Sequence, residues 1–333
     1  MTTLPAIEAR HLVKRFGEVI AVDDVSFTVP TGSVLGMLGP NGAGKTTTVR
    51  MMTTLTRPTS GTATVAGHDV LTSPDAVRRS MGLTGQAATV DELLTGRENL
   101  QLMGDLYGLP AVDVRTRGGA LLERFSLSEA GDRVVKTYSG GMRRRLDLAV
   151  SLIATPPVLF LDEPTTGLDP RSRVELWEVL RGLVRDGTTL LLTTQYLEEA
   201  DQLADNIVVI DHGRIIAQGT ALQLKDQSGA ASVVLTVSRA ADLPEAARLL
   251  RREVAEVHID EGSRQLTAPA DGLADMTRIA RAFEHTAIEL DDLGLKRPSL
   301  DDVFLALTGH RAEPEADPTS DAGSLDESDK EPA

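Results

Sequence analysis

At 333 residues the chain exceeds one average domain and predicts about two. Hydrophobic residues make up 41% but aromatics only 3%, so the core must rest on Val, Leu, Ile and Ala, as suits a buried parallel sheet. A net charge of -15 argues against sequence-independent nucleic-acid binding, which needs basic patches, and the lack of Cys removes disulfides, thiol catalysis and Cys-ligated metal.

Residues 7–29 alternate in β fashion and end at the turn Pro30-Thr-Gly32. Val34-Leu-Gly-Met-Leu38 is a short apolar run entering a Gly-rich loop, and a helix is predicted from there through Met51 and Met52. Another strand is expected over 61–67, and residues 92–154 read as mainly helical, with helix-spaced apolar positions in 121–125 and 146–153. Two wholly apolar runs, Val158-Leu-Phe-Leu161 and Leu190-Leu-Leu192, flank a helix over 174–184; strand, crossover helix and strand imply parallel pairing. Ile207-Val-Val-Ile210 and Arg214-Ile-Ile-Ala217 form a hairpin around a tight Gly turn.

The character changes after about Lys225. Strands at 232–238, 257–260, 265–268 and 287–290 and helices at 243–254 and 273–284 give the order βαββαβ, which fits a small ferredoxin-like unit. A helix over 299–307, with Ser299 as N-cap, closes that unit. From Arg311 onward eight acids face two bases, a Pro- and Ser-containing composition expected to be disordered. The expected division is a first α/β domain over 1–225 with a helical subdomain at about 87–154, an α+β accessory domain over 226–309 and an acidic tail over 310–333. No apolar run approaches the roughly 20 residues of a spanning helix, and the N-terminus lacks a signal-peptide pattern. A chain of this kind is expected in the cytosol, reaching a membrane only through a partner.

The chemistry begins at Gly39, Pro40, Asn41, Gly42, Ala43, Gly44, Lys45 and Thr46, which match the phosphate-loop pattern between a strand and a helix. Thr47 follows in the first helical turn. The glycines let backbone N–H groups face a β-phosphate, and the helix dipole favours the anion. Lys45 would reach the β/γ-phosphates, and the Thr46 hydroxyl would coordinate Mg²⁺. A chance match in a chain of this length is on the order of one in a hundred from average residue usage. Val158-Leu-Phe-Leu-Asp162-Glu163 then delivers two carboxylates at a strand end. Asp162 would hold Mg²⁺ through water, and Glu163 would orient or deprotonate an attacking water. Alone, such an acidic pair is more often a cap or a solvated loop; beside a phosphate loop the functional reading prevails.

Tyr138-Ser-Gly-Gly-Met142 precedes another helix, so Ser139 and the N–H groups of Gly140 and Gly141 make a second phosphate-binding helix start. One nucleotide cannot use both starts of a single chain if they lie far apart, but it can when two chains meet head to tail.

With these motifs in this order, residues 7–225 resemble the ATP-binding subunits of ABC transporters: an α/β phosphate-loop ATPase core with an antiparallel β part and a helical subdomain. Tyr138-Ser-Gly-Gly-Met142 matches the signature in a variant form, Gln86 the glutamine loop, and Gly167-Leu-Asp169-Pro the D-loop. Phe16 occupies the place of the aromatic that stacks on adenine. The resemblance implies ATP and Mg²⁺, a second copy of the chain in a head-to-tail sandwich, an integral membrane permease partner, and a place at the cytoplasmic face of the cell membrane. It also makes Gln86 a ligand of Mg²⁺ or water, and Ser139, Gly140, Gly141 and Asp169 nucleotide contacts.

One position departs from the common pattern. Gln195 follows the strand Leu190-Leu-Leu-Thr-Thr194, where the family usually has His; a neutral amide donates to a γ-phosphate without charge, so slower hydrolysis is expected. Together with Tyr-Ser-Gly-Gly-Met-Arg-Arg-Arg, Thr-Thr-Gln-Tyr-Leu-Glu-Glu-Ala-Asp and Ser299-Leu-Asp-Asp-Val-Phe-Leu, this is similar to the daunorubicin/doxorubicin-resistance exporter ATPases, and that similarity implies export of a hydrophobic drug or a lipid. The alternatives are a non-transport ATPase of the same superfamily and a nucleotide-gated module with little turnover.

Overall fold

The computed structural model describes residues 4–85, 89–227 and 231–308. Gln86 and the acidic tail therefore lie outside the described residues.

In chain order the first unit contains β1 (Ile7–Phe16), β2 (Val19–Val29), β3 (Val34–Leu38), α1 (Lys45–Met52), β4 (Ser60–Val65), β5 (His68–Asp69), α2 (Pro74–Arg79) and β6 (Met81–Thr84). Then come α3 (Gly96–Leu106), α4 (Ala111–Arg124), α5 (Gly140–Ser151), β7 (Val158–Asp162), α6 (Pro170–Arg185), β8 (Thr189–Thr194), α7 (Leu197–Leu203), β9 (Asn206–Asp211) and β10 (Arg214–Gly219).

Two sheets result. One is antiparallel, in the order β2-β1-β4-β5, and the other is six-stranded, in the order β10-β9-β3-β8-β7-β6. Every pair in the second is parallel except the β9–β10 hairpin. Every residue of β3, β7 and β8 is buried, because both faces of these strands are covered and unbroken apolar runs are then required. The period-2 alternation of a strand divides them between two cores. Leu159, Leu161, Leu190 and Leu192 pack with the helical side, including Leu146, Leu148, Leu176 and Trp177. Phe160, Leu191, Leu35 and Met37 pack with Ile7, Leu12, Val25 and Phe27 of the antiparallel sheet and with Met51 and Met52 of α1.

The register of the parallel strands positions the site. Leu38 pairs with Thr194, Asp162 with Thr193, and Thr84 with Leu161. The chain therefore leaves β3, β8, β7 and β6 along one carboxyl edge of the sheet, where open α/β sheets bind their ligands. Those exits carry, in spatial order, the phosphate loop, Gln195, Glu163 and Gly85.

The second unit begins at Ala221, a few residues before the expected change at Lys225. It holds α8 (Ala221–Gln227), β11 (Ser232–Val237), α9 (Leu243–Glu253), β12 (His258–Asp260), β13 (Gln265–Pro269), α10 (Leu273–Phe283), β14 (Leu290–Lys296) and α11 (Leu300–Thr308). The earlier start reflects α8, which packs against α11 of the same unit. Its antiparallel sheet runs β12-β13-β11-β14, over a core of Val233, Leu235, Leu250, Leu266, Ile279 and Phe283. The last strand corrects the expectation: it spans Leu290–Lys296 and not 287–290. Its acidic pair and glycine resemble a turn, yet Leu293 and Leu295 pair with Leu235 and Val233 across the ladder, and it is this pairing that makes the segment a strand. At the start of α11, Ser299 Oγ accepts from the Asp302 amide at 3.2 Å while Asp302 Oδ2 accepts from the Ser299 amide at 2.8 Å, a reciprocal cap.

Candidate active site

The loop after β3 takes its shape from its glycines. A Cβ on Gly39 would stand 2.2 Å from the Ile210 carbonyl oxygen. Gly44 has φ 107°, and a Cβ there would stand 2.5 Å from the Ala21 carbonyl oxygen. Only glycine meets both demands. Gly44 caps α1 without a side-chain bond, and the first turn of α1 has no acid, so no side chain of the cap or that turn competes with an anion for its first amides.

Lys45 is buried, and its Nζ donates to the Gly39 and Pro40 carbonyls at 2.7 and 3.1 Å, with Glu163 Oε1 4.0 Å away. The Thr46 hydroxyl donates to Asp162 Oδ1 at 3.2 Å, and the Thr193 hydroxyl donates to the same oxygen at 2.5 Å. Glu163, the first residue beyond β7, has φ 53°, a left-handed backbone that is uncommon outside glycine. Its amide donates to the Thr193 carbonyl at 3.1 Å, and the Thr166 hydroxyl donates to its Oε2 at 3.4 Å. Lys45, Thr46, Asp162 and Glu163 thus form one cluster drawn from two strand exits.

Gln195 stands at the neighbouring exit of β8, and its Oε1 is buried with no hydrogen-bond partner. A buried acceptor left in that condition costs free energy unless something donates to it. Ser139 caps α5, its Oγ accepting from the Met142 amide at 3.2 Å, and Ser139 and Gly140 are exposed. Asn41 of the phosphate loop, Gly140 at the start of α5, Glu163 and Gly167 line one cleft of about 870 Å³. Phe16 ends β1 with 53% of its surface exposed, and Lys14 Nζ sits 4.8 Å from the ring centroid. Asp169 is exposed and caps α6, accepting from the Ser172 hydroxyl at 2.5 Å and from its amide at 3.1 Å. The Ser172 hydroxyl, above all, holds its carboxyl below the usual range.

Behind this front lies a polar layer that sequence reasoning missed. Arg144 of α5 is buried and donates to the Asp162, Glu163 and Pro164 carbonyls at 3.1, 2.9 and 2.9 Å. Glu199 of α7 is fully buried; Trp177 Nε1 donates to its Oε1 at 3.3 Å, and Oε2 has no hydrogen-bond partner. Burial pushes its carboxyl up to about 7, against smaller opposing effects of the nearby Thr194, Thr165 and Trp177 groups and of Arg144. The available signal was a charged residue at a helical position whose neighbours, Leu197, Ala200 and Leu203, are core residues.

The profile of the ABC transporter family matches residues 22–166. The chain is 52% identical, over 94% of its length and 96% of the relative's, to the daunorubicin/doxorubicin resistance ATP-binding protein DrrA of Streptomyces peucetius. This chain belongs to the ABC transporter ATP-binding family. As an ABC subunit it is an ATPase whose hydrolysis is coupled to transport. Similar relatives include the doxorubicin resistance ATP-binding protein of Mycobacterium tuberculosis, 50% identical over 88% of this chain and 89% of that one. The Nod factor export ATP-binding protein I of Ralstonia nicotianae is 42% identical over 92% and 94%. Among solved structures, an ATP-binding subunit of an ABC transporter superposes with TM-score 0.62 at 29% identity, covering 67% of this chain and 92% of that one. No helix among the described residues of this ABC subunit is long and apolar enough to cross a membrane.

Proposed function

We propose that this subunit holds ATP on Gly39 through Thr47 and hydrolyses it to drive a separate membrane permease that exports a hydrophobic drug or a lipid. The observation that carries the reading is the cluster of Lys45, Thr46, Asp162 and Glu163 at one sheet edge, beside amides that no side chain caps. Names of relatives that speak of daunorubicin and doxorubicin resistance support the drug; the name of another, a Nod factor export protein, supports export as the direction.

In this reading the amides of Gly42, Ala43, Gly44 and Lys45 bind the phosphates, and the Lys45 ammonium, now on two loop carbonyls, turns to the β/γ-phosphates. The Thr46 hydroxyl would hold Mg²⁺ directly and Asp162 through water, joined by Gln86, and the ion would supply charge neutralisation on the phosphates. Hard oxygen donors of this kind suit a small divalent ion that keeps part of its water. The described residues contain no cluster of three or more His, Cys, Asp or Glu for a metal cage, in keeping with such a site. Glu163 accepts a proton from the attacking water, its carboxylate steered by Lys45 and Thr166. Gln195 gives a neutral hydrogen bond to the γ-phosphate, and Phe16 stacks on adenine.

Ser139, Gly140, Gly141 and Asp169 face the nucleotide of a second copy in a head-to-tail dimer. Exposure of Ser139 and Gly140 supports this, since a buried helix start could not meet another chain. The whole works at the cytoplasmic face of the membrane, through the permease. The second unit is a ferredoxin-like module, a reading supported by its βαββαβ order and by the strand order β12-β13-β11-β14.

The test is Glu163→Gln. Loss of the general base should slow hydrolysis by about 10²- to 10⁴-fold while Mg–ATP binding persists. Light scattering should then find the variant dimeric with ATP and monomeric without it. Unchanged turnover removes Glu163 from its role, and a monomer with bound ATP removes the sandwich. Drug accumulation in cells carrying the chain with its membrane partner tests the cargo.

A further inference from the structure

Helix α5 does more than present Ser139 and its glycines. Arg144 and Asp147 lie one turn apart on its buried face, with Arg144 Nη1 3.8 Å from Asp147 Oδ2. Besides its bonds to Asp162, Glu163 and Pro164, Arg144 Nη1 donates to the Gly85 carbonyl at 2.5 Å. Four carbonyls on two separate strand exits therefore share one planar guanidinium, whose fixed fork of N–H groups sets their spacing. Asp147 Oδ1 accepts from the Thr89 amide at 2.7 Å and from the Thr89 hydroxyl at 2.5 Å. Gly85 and Thr89 bracket Gln86 in the chain. One face of one helix thus holds both Gly85 and Thr89, and the Arg144 side chain also holds the carbonyl of Glu163.

The burial of these charges is costly. Desolvation lowers the Arg144 pKa and raises that of Asp147, so hydrophobic side chains would pack the site with less penalty. The strained φ of 53° at Glu163 is also held only where surroundings over-determine it, and here its amide is tied to Thr193 and its carbonyl to Arg144.

We propose that Arg144 and Asp147 are a positioning pair that couples the signature helix start to the general base Glu163 and to Gly85 and Thr89. A displacement of α5, when Ser139 and Gly140 engage the nucleotide of a second copy, moves Gly85, Thr89 and the Glu163 backbone together. The proposal rests on the reading of Glu163 as part of an ATP site.

The test uses the full chain with Mg–ATP. Arg144→Gln should lower kcat by about 10- to 100-fold, the scale of a small misplacement of a catalytic group, with KM for ATP within about twofold of wild type. Arg144→Lys should recover little, because a point charge cannot serve four carbonyls at fixed angles. Asp147→Ala should speed hydrogen exchange at the Thr89 amide and lower kcat, and Asp147→Asn, which keeps an acceptor for Thr89, should fall between it and wild type. A purely structural pair would lower the melting temperature of these variants and leave kcat at the wild-type value; that result overturns the proposal. If Arg144→Gln does not fold, Arg144→Lys and Asp147→Asn carry the same comparison of kcat with KM. The wild type and Lys45→Ala report on the ATP site alone: a wild type that neither binds nor hydrolyses Mg–ATP defeats the underlying reading, whereas an active wild type with an equally active Arg144→Gln defeats only the coupling.

Discussion

Lys45 and Glu199 are both almost wholly buried charged groups of one domain, yet they sit in opposite circumstances. Lys45 stands at the carboxyl edge of the sheet, where loop carbonyls hold its ammonium and Glu163 is near. Glu199 stands behind that edge among Trp177, Thr165, Thr194 and Arg144, and burial disfavours its charge. The front layer contains groups that a ligand can engage. The back layer contains groups that only the fold engages, and its polarity is costly unless it sets the geometry of the front.

The sharpest way to break this contrast is Lys45→Ala. If the front layer binds the phosphates, steady-state hydrolysis should fall by about 10²-fold or more, since one preorganised cationic contact is worth at least that much. A variant with wild-type turnover would move the site elsewhere.

Glu199→Gln tests the back layer through stability. The folded carboxyl titrates at about 7 against an ordinary 4.5, so its protonated form is the one that burial tolerates. Its stabilising contribution is complete below 4.5 and is lost as pH rises through 7. Replacing it with a neutral amide should therefore stabilise the protein at pH 8 by up to about 3 kcal/mol and give no such gain at pH 4.5 or below. Denaturation midpoints across that range check the sign; a pH-independent difference would refute the buried-acid reading.

The smallest effect is expected at the border of the two layers. Gln195→His replaces a neutral donor with one that can carry charge, and charged hydrogen bonds are roughly twice as strong, so hydrolysis should rise about two- to tenfold near pH 6 and less at pH 8. Slower turnover at both pH values would mean that this branch of the family has built its γ-phosphate contact around the amide.

Much of the front was legible in the chain. Val158-Leu-Phe-Leu161 and Leu190-Leu-Leu192 announce strands covered on both faces, and the helix between them demands parallel pairing, which β7 and β8 adopt. Parallel strands put their carboxyl ends along one edge of the sheet, and so Lys45 after β3 and Glu163 after β7, 118 positions apart and with β8 between those strands, come within 4.0 Å. The strand Leu290–Lys296 was less legible, because its Asp291, Asp292 and Gly294 suit a turn until β11 supplies a ladder. Arg144 and Asp147 were invisible for a different reason. In the run Met142-Arg-Arg-Arg-Leu-Asp147, only the phase of the helix against the sheet tells buried Arg144 from half-buried Arg143, which pairs instead with Glu92 at 2.6 Å.

By itself, then, the sequence determined the chemistry that depends on local geometry: glycines where a Cβ would strike a carbonyl, a lysine and a threonine opening a helix, an acidic pair at the end of a buried strand. Tertiary structure alone decided what depends on registry between distant segments. It gave Asp162 its two hydroxyl donors, left Gln195 Oε1 and Glu199 Oε2 without partners, and gathered four carbonyls onto Arg144. Local motifs specify which atoms are offered, but hydrogen bonds between strand exits require the sheet to bring them within about 3 Å of one another.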